Sequence, residues 1–149
     1  MLYKLIYDLA KYNNKNLYLF SNKIKKYNLN YLIEHYGIIK KNTYNKNILY
    51  RNDNFEIILI SWDKNICTNI HRHPENGCIM NILDGCLKEE IYKTEYGYNN
   101  CIKKNTFKKG DISYIHDSLG YHKIYNKNQY SYSLHIYSPP NFYNKLLND

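Results

Sequence analysis

Two histidines stand two residues apart in His71-Arg72-His73-Pro74-Glu75-Asn76-Gly77-Cys78, and a third stands in Gly120-Tyr121-His122-Lys123-Ile124-Tyr125-Asn126. On an extended segment, side chains at i and i+2 project to the same face. Two imidazoles from one segment and one from a distant segment can occupy one face of an octahedral metal and leave the opposite face open. Imidazoles alone suit Zn, Cu, Fe or Ni. Without a carboxylate the cation's charge is uncompensated, which favours anionic ligands; a thiol beside such a cation loses its proton more easily. A lone histidine is more often a hydrogen-bonded barrel residue, but the joint spacing of His71, His73 and His122 points to a metal. Glu75 reads as a loop residue and not as a ligand.

Other polar residues sit where a core would be apolar. Ser133, His135 and Tyr137 alternate, so they share one face of a strand. Buried there, they need partners, which a hydrogen-bonded chain from Ser133 through His135 to Tyr137 would supply. The opposing reading makes this the solvent face, with Leu134 and Ile136 turned inward. Arg51 is one of only two arginines in a lysine-rich chain. Its guanidinium suits a carboxylate through two charge-assisted bonds. Cys78 opens an apolar run, where a thiol is ordinarily a small core residue.

These residues need elements to hold them. Residues 1–36 read as a helical preface. Leu2, Leu5, Ile6 and Leu9 form one apolar stripe, and 17–27 and 29–36 suit short helices broken near Asn28 and Gly37. Residues 37–54 are polar and asparagine-rich, and read as a linker, with Arg51 just ahead of the first barrel strand. Strand signals follow at 55–61, 78–83, 87–92, 101–107, 112–115, 121–125 and 130–137. Asp84-Gly85 reads as a hairpin turn between the second and third of these. Residues 95–100 and Lys109-Gly110-Asp111 read as further turns. The expected fold is mainly β, a small jelly-roll barrel behind a helical segment.

A length of 149 residues suits one domain spanning 1–149. No apolar run approaches the roughly 18 residues of a membrane span, and the first ten residues lack the long apolar stretch of a signal peptide. The cysteines Cys67, Cys78, Cys86 and Cys101 form no disulfide framework and are read as reduced thiols. A cytoplasmic location and a monomer are expected. The formal net charge of +8 invites a nucleic-acid reading. However, the lysines are scattered, and arginine, the usual reader of phosphates and bases, is nearly absent. The pattern argues against specific nucleic-acid binding.

The spacing H-x-H-x4-C-x6-G, then H-x3-N, resembles the two cupin motifs, with Cys78 where the first usually has glutamate. That cysteine makes the chain resemble cysteine dioxygenase, a thiol dioxygenase of the cupin superfamily. Tyr50-Arg51-Asn52, Ser61-Trp62, Asp84-Gly85, Leu87-Lys88-Glu89, Tyr114-Ile115 and Ser133 through Pro140 stand in the family's order, so the resemblance covers a barrel over 49–140. It implies one Fe(2+) per chain on His71, His73 and His122. It also implies oxidation of L-cysteine by O2 to cysteine sulfinate, with Arg51 on the substrate carboxylate and Ser133, His135 and Tyr137 as the catalytic strand. A thioether between Cys78 and Tyr137 and a cis Ser138–Pro139 bond follow from the same resemblance. Trp62 is either a neighbour of His135 or ordinary core.

Other readings stay open. The substrate could be another small thiol, namely 3-mercaptopropionate, cysteamine or an N-terminal cysteine. The chain could also be a catalytically silent metal-binding cupin. There are departures from the family. Leu49 replaces a tyrosine near the carboxylate site, and Gly77 replaces a bulkier residue. The sequence ends at Asp149, where animal-type relatives continue. A more open site, weaker selectivity or lower stability is the expectation from these.

Overall fold

The computed structural model describes residues 1–12, 17–94 and 101–142. Helices come first: α1 (Leu2–Lys11), α2 (Leu17–Ser21), a 3-10 turn over Ile24–Lys26, and α3 (Tyr31–Tyr36). In α1, Leu5 and Leu9 are buried one turn apart while Tyr3 and Tyr7 stay exposed, which is the expected one-sided stripe. The Tyr27 hydroxyl donates to Asp8 and ties the chain after the 3-10 turn back to α1.

Strands follow: β1 (Tyr44–Arg51), β2 (Glu56–Trp62), β3 (Ile66–Cys67), β4 (Cys78–Asp84), β5 (Cys86–Tyr92), β6 (Cys101–Lys108), β7 (Ile112–Ile115), β8 (Tyr121–Asn126) and β9 (Ser131–Tyr137). One sheet runs β1-β2-β9-β4-β7 and the other β3-β8-β5-β6, with antiparallel pairing between all neighbours. This is the mainly β architecture expected from the sequence.

Two expectations are corrected. Residues 44–51 are not linker but the edge strand β1, paired with β2 from Tyr44↔Trp62 to Arg51↔Glu56. An edge strand is half exposed and needs no apolar alternation, so its asparagines hid it. Arg51 therefore ends a strand and does not precede one. The second correction concerns Asp84-Gly85, which is not a hairpin. β4 pairs with β7 and β9, whereas β5 pairs with β6 and β8, so the chain crosses between sheets at Gly85. The dipeptide did report a positive φ, +81° at Gly85. Its short-range signal cannot tell a hairpin from a corner. The turn expected over 95–100 lies outside the described residues.

The core has two layers that share the larger sheet. Ile57, Leu59, Ile79, Leu83, Leu134 and Ile136 pack outward beneath Leu5, Phe20, Ile24 and Leu32 of the helical segment. Ile58, Ile60, Trp62, Cys78, Met80 and Ile82 face inward, toward Leu87 and Ile124 of the smaller sheet. Every residue of β2 is buried for this reason. With helices on one face and a sheet on the other, every residue of β9 except half-buried Tyr132 is buried.

Candidate metal centre

His71 and His122 face each other across an isolated antiparallel bridge, each N–H donating to the other's carbonyl at 3.0 Å. His73, two residues on, turns its ring to the same place. Ring centroids lie 5.3 Å apart for His71–His73, 4.5 Å for His71–His122 and 4.1 Å for His73–His122. The three potential ligand atoms all lie within 4.8 Å of one another. Among the described residues, no other group of histidine, cysteine or acidic side chains converges this way.

The hydrogen bonds fix how these rings present themselves. His71 Nδ1 faces the Asn69 carbonyl at 2.8 Å; a carbonyl can only accept, so Nδ1 carries the proton. His122 Nδ1 donates to Glu89 Oε1 at 2.8 Å. Both Nε2 atoms then hold lone pairs, and they sit 2.9 Å apart. Two lone pairs at that distance repel unless a cation lies between them. The spacing is close to that of two nitrogens each about 2.1 Å from one metal and at right angles. His73 Nδ1 is buried with no hydrogen-bond partner. Burial holds all three rings below the ordinary histidine range, so the imidazoles are neutral and able to ligate. The donor set fits a divalent metal.

Sequence reasoning missed Glu89 as part of this centre. It is 2% exposed, bonded to His122 through one oxygen and to Asn105 Nδ2 at 2.8 Å through the other. A carboxylate behind a ligating imidazole orients the ring and strengthens it as a donor. The centre is therefore not without carboxylate charge; that charge sits one residue behind the ligands. Strand alternation was the only available signal, since Glu89 faces inward between exposed or half-exposed neighbours.

On β9 the expected chain forms. Trp62 Nε1 donates to Ser133 Oγ at 2.8 Å, Ser133 Oγ meets His135 Nε2 at 2.8 Å, and His135 Nδ1 meets the Tyr137 hydroxyl at 3.2 Å. Burial lowers His135 to about 3, so it relays hydrogen bonds as a neutral ring. Trp62 is thus the donor that anchors the chain and not merely packing. Cys78 lies directly opposite Tyr137 in the β4–β9 register, with its Sγ 3.8 Å from His135 Nδ1. Burial pushes the Cys78 thiol well above its ordinary range, so it stays protonated. Gly77 has φ +90°, and a Cβ there would lie 2.7 Å from the Tyr114 ring, which fills the space of a bulkier residue. The Ser138–Pro139 bond is cis. Glu75 is exposed in its loop.

A cavity of ≈ 310 Å³ opens on His71 and His122, bounded by His135, Tyr137 and Lys46 and by apolar Ile60, Trp62 and Ile124. Arg51 does not line it. Arg51 Nε and Nη2 both donate to Glu56 Oε2, at 2.9 and 2.7 Å, and Glu56 is 1% exposed. Leu49 falls in a bulge of β1 and packs toward the helices.

This arrangement can be set beside known proteins. A crystal structure of a cupin superfamily protein from Desulfitobacterium hafniense superposes with a TM-score of 0.58 at 17% identity, covering 74% of this chain and 86% of that one. At that identity the likeness is one of fold. Cysteine dioxygenase type 1 from Rattus norvegicus is 32% identical over 103 residues, and that from Homo sapiens is 30% identical over 103 residues. Each match covers 65% of this chain and 52% of the relative, so the chain spans about half the length of these relatives. The family model for cysteine dioxygenase type I matches residues 6–146, from the first helix through the cis-proline turn and beyond. With nearly its whole length inside that match, the chain belongs to the cysteine dioxygenase type I family.

Proposed function

We propose that this protein is an iron(II)-dependent thiol dioxygenase that oxidises L-cysteine with O2 to cysteine sulfinate. The observation that carries the reading is the convergence of three neutral imidazoles, two of which, His71 and His122, line a cavity large enough for a small thiol. His71, His73 and His122 would hold the iron, one ion per chain. Bound there, iron supplies the oxygen chemistry and acidifies a thiol beside it. Both atoms of O2 add to sulfur, which carries the thiol to the sulfinic level.

The protein's own part is positioning. Trp62, Ser133 and His135 hold the Tyr137 hydroxyl at the cavity wall, where it can hydrogen-bond the reacting thiol or oxygen. Apolar Ile60 and Ile124 line the same cavity. The Cys78–Tyr137 thioether forms, in this reading, by loss of one hydrogen from the thiol and one from a ring carbon, with O2 as oxidant. The cross-strand register supports it by bringing the two side chains together before any reaction.

The test is product mass. Protein loaded with iron(II) without oxygen, then given L-cysteine and ¹⁸O2, should yield sulfinate carrying two labelled oxygens. Iron retained with no sulfinate would overturn the L-cysteine reading. Peptide mass of the active protein should show Cys78 and Tyr137 joined and lighter by two hydrogens; unlinked peptides after turnover would remove the thioether. One observation favours a second reading. The pairing of Arg51 with Glu56 suits a thiol without a carboxylate, such as cysteamine.

A further inference from the structure

The segment that carries two of the three histidines is lightly tied by its backbone. Residues 68–77 join β3 to β4 outside any strand. Backbone bonds hold this segment to β8 at two places, from the Thr68 N–H to the Ile124 carbonyl and in the two-way bridge between His71 and His122. A ladder continued from that bridge would set His73 opposite Gly120. The Gly120 N–H instead donates to the Asp117 carbonyl at 3.2 Å, closing the 3-10 turn over Asp117–Leu119. Pro74 follows His73 and has no N–H to offer. The ladder thus holds His71, and His73 needs another tie.

Arg72 supplies one. Between two residues whose rings turn inward, its side chain turns outward. Its Nε donates to Asp117 Oδ1 at 2.7 Å and its Nη2 donates to Asp117 Oδ2, a fork on a carboxylate. The guanidinium also lies over the Tyr121 ring, 5.8 Å from its centroid. Asp117 opens the turn that leads to Tyr121 and His122, so the fork joins the segment of His71 and His73 to that of His122. The two side chains are 46% and 38% exposed, so solvent screens the pair and it adds little to the stability of the whole fold. Its effect is local. For His73 to leave the other two rings by a backbone movement, the fork must open.

We propose that Arg72 and Asp117 are the positioning pair of the metal centre, a clasp that slows release of the ion by holding His73 against His71 and His122. The inference rests on those three histidines being metal ligands. Neither Arg72 nor Asp117 lines the cavity; both act through His73.

The test measures release of metal, not turnover. Protein loaded with cobalt(II) is mixed with excess EDTA, and the decay of the cobalt absorption gives the release rate. Arg72→Gln and Asp117→Asn should each release cobalt about three- to tenfold faster than wild type, the upper range for an exposed ion pair with fork geometry. The double variant should exceed the faster single variant by less than about twofold, because the two groups serve one contact. Urea midpoints of the metal-free variants should match wild type, which separates a clasp from general support of the fold. Unchanged release rates, effects that multiply in the double variant, or metal-free stability that falls in step with retention would overturn the clasp. Wild-type protein that takes up no cobalt would sink the metal centre itself, before any variant is compared.

Discussion

Replacing Glu89 by glutamine keeps the shape of the side chain and removes its charge. The amide would also set an N–H against one of two donors, His122 Nδ1–H or the Asn105 amide. We expect metal affinity to fall about 10- to 100-fold with the fold retained, as is usual for a carboxylate behind a ligating histidine. Competition with a chelator, followed by metal analysis, measures it; unchanged affinity would mean that Glu89 only fills space. Removal of a ligand should act more drastically, so His73→Ala is expected to lose metal on desalting. The residues that showed in the sequence, His71, His73 and His122, are those whose identity is the chemistry. Glu89 and Glu56 were silent because a buried carboxylate is recognised by its partner, and the partner is brought up by the fold.

The strands set where each of these partners falls. Cys78, Tyr137, Glu56 and Arg51 form one row across β4, β9, β2 and β1, each directly opposite the next. A shift of one residue in any pairing would turn these groups to the helix side. Gly85 guards that register at the corner where β4 leaves one sheet and β5 enters the other. A Cβ there would collide with Ser131 Oγ and stand 2.7 Å from the Tyr130 carbonyl, at a φ of +81°. The backbone conformation alone costs a side chain about 1–3 kcal/mol, and the collision adds to it. Gly85→Ala should therefore lower the urea midpoint markedly; a loss below about 0.5 kcal/mol would mean that the corner adjusts freely. The helices answer to the same test at their centre. Phe20 is fully buried between Tyr12 and Tyr27, with centroids 5.3 and 6.4 Å away. Phe20→Ala should cost about 3–5 kcal/mol if the helical segment is integral to the core.

Across the whole molecule, charge is unevenly constrained. Most lysines are exposed and contribute little individually, but Glu90 gathers Lys104, Tyr125 and Tyr92 around one carboxylate. Those bonds, Lys104 foremost, hold Glu90 down to about 2, below its ordinary 4.5. The folded state thus binds the proton less readily than the unfolded chain. The stability that this provides is fully present above pH 4.5 and is lost as pH falls toward 2. Glu90→Gln should therefore be less stable than wild type at pH 7, with the gap narrowing between pH 4.5 and 2. Denaturation midpoints at several pH values would show it, and a gap independent of pH would reject it. At the same scale, among the described residues no helix is long and apolar enough to cross a membrane.

The sequence by itself determined the strand-rich fold behind helices, the three imidazoles and the alternating Ser133, His135 and Tyr137, because these rest on residue type and short spacing. It could not say which face of β9 is wet. The structure answers that both are covered, half-buried Tyr132 apart, since helices cover Leu134 and Ile136 while the second sheet covers the polar row. Nor could it separate a hairpin from a corner at Gly85, or see β1 in an asparagine-rich stretch, because both depend on which distant strand supplies the hydrogen bonds. Arg51 shows the same limit for the site. Its type suits a substrate carboxylate, and tertiary structure sets it on Glu56, while Lys46, unremarked in the sequence, lines the cavity. Chemistry resides in side chains and is legible one residue at a time; pairing is a property of the folded chain, where two residues far apart in sequence become each other's surroundings.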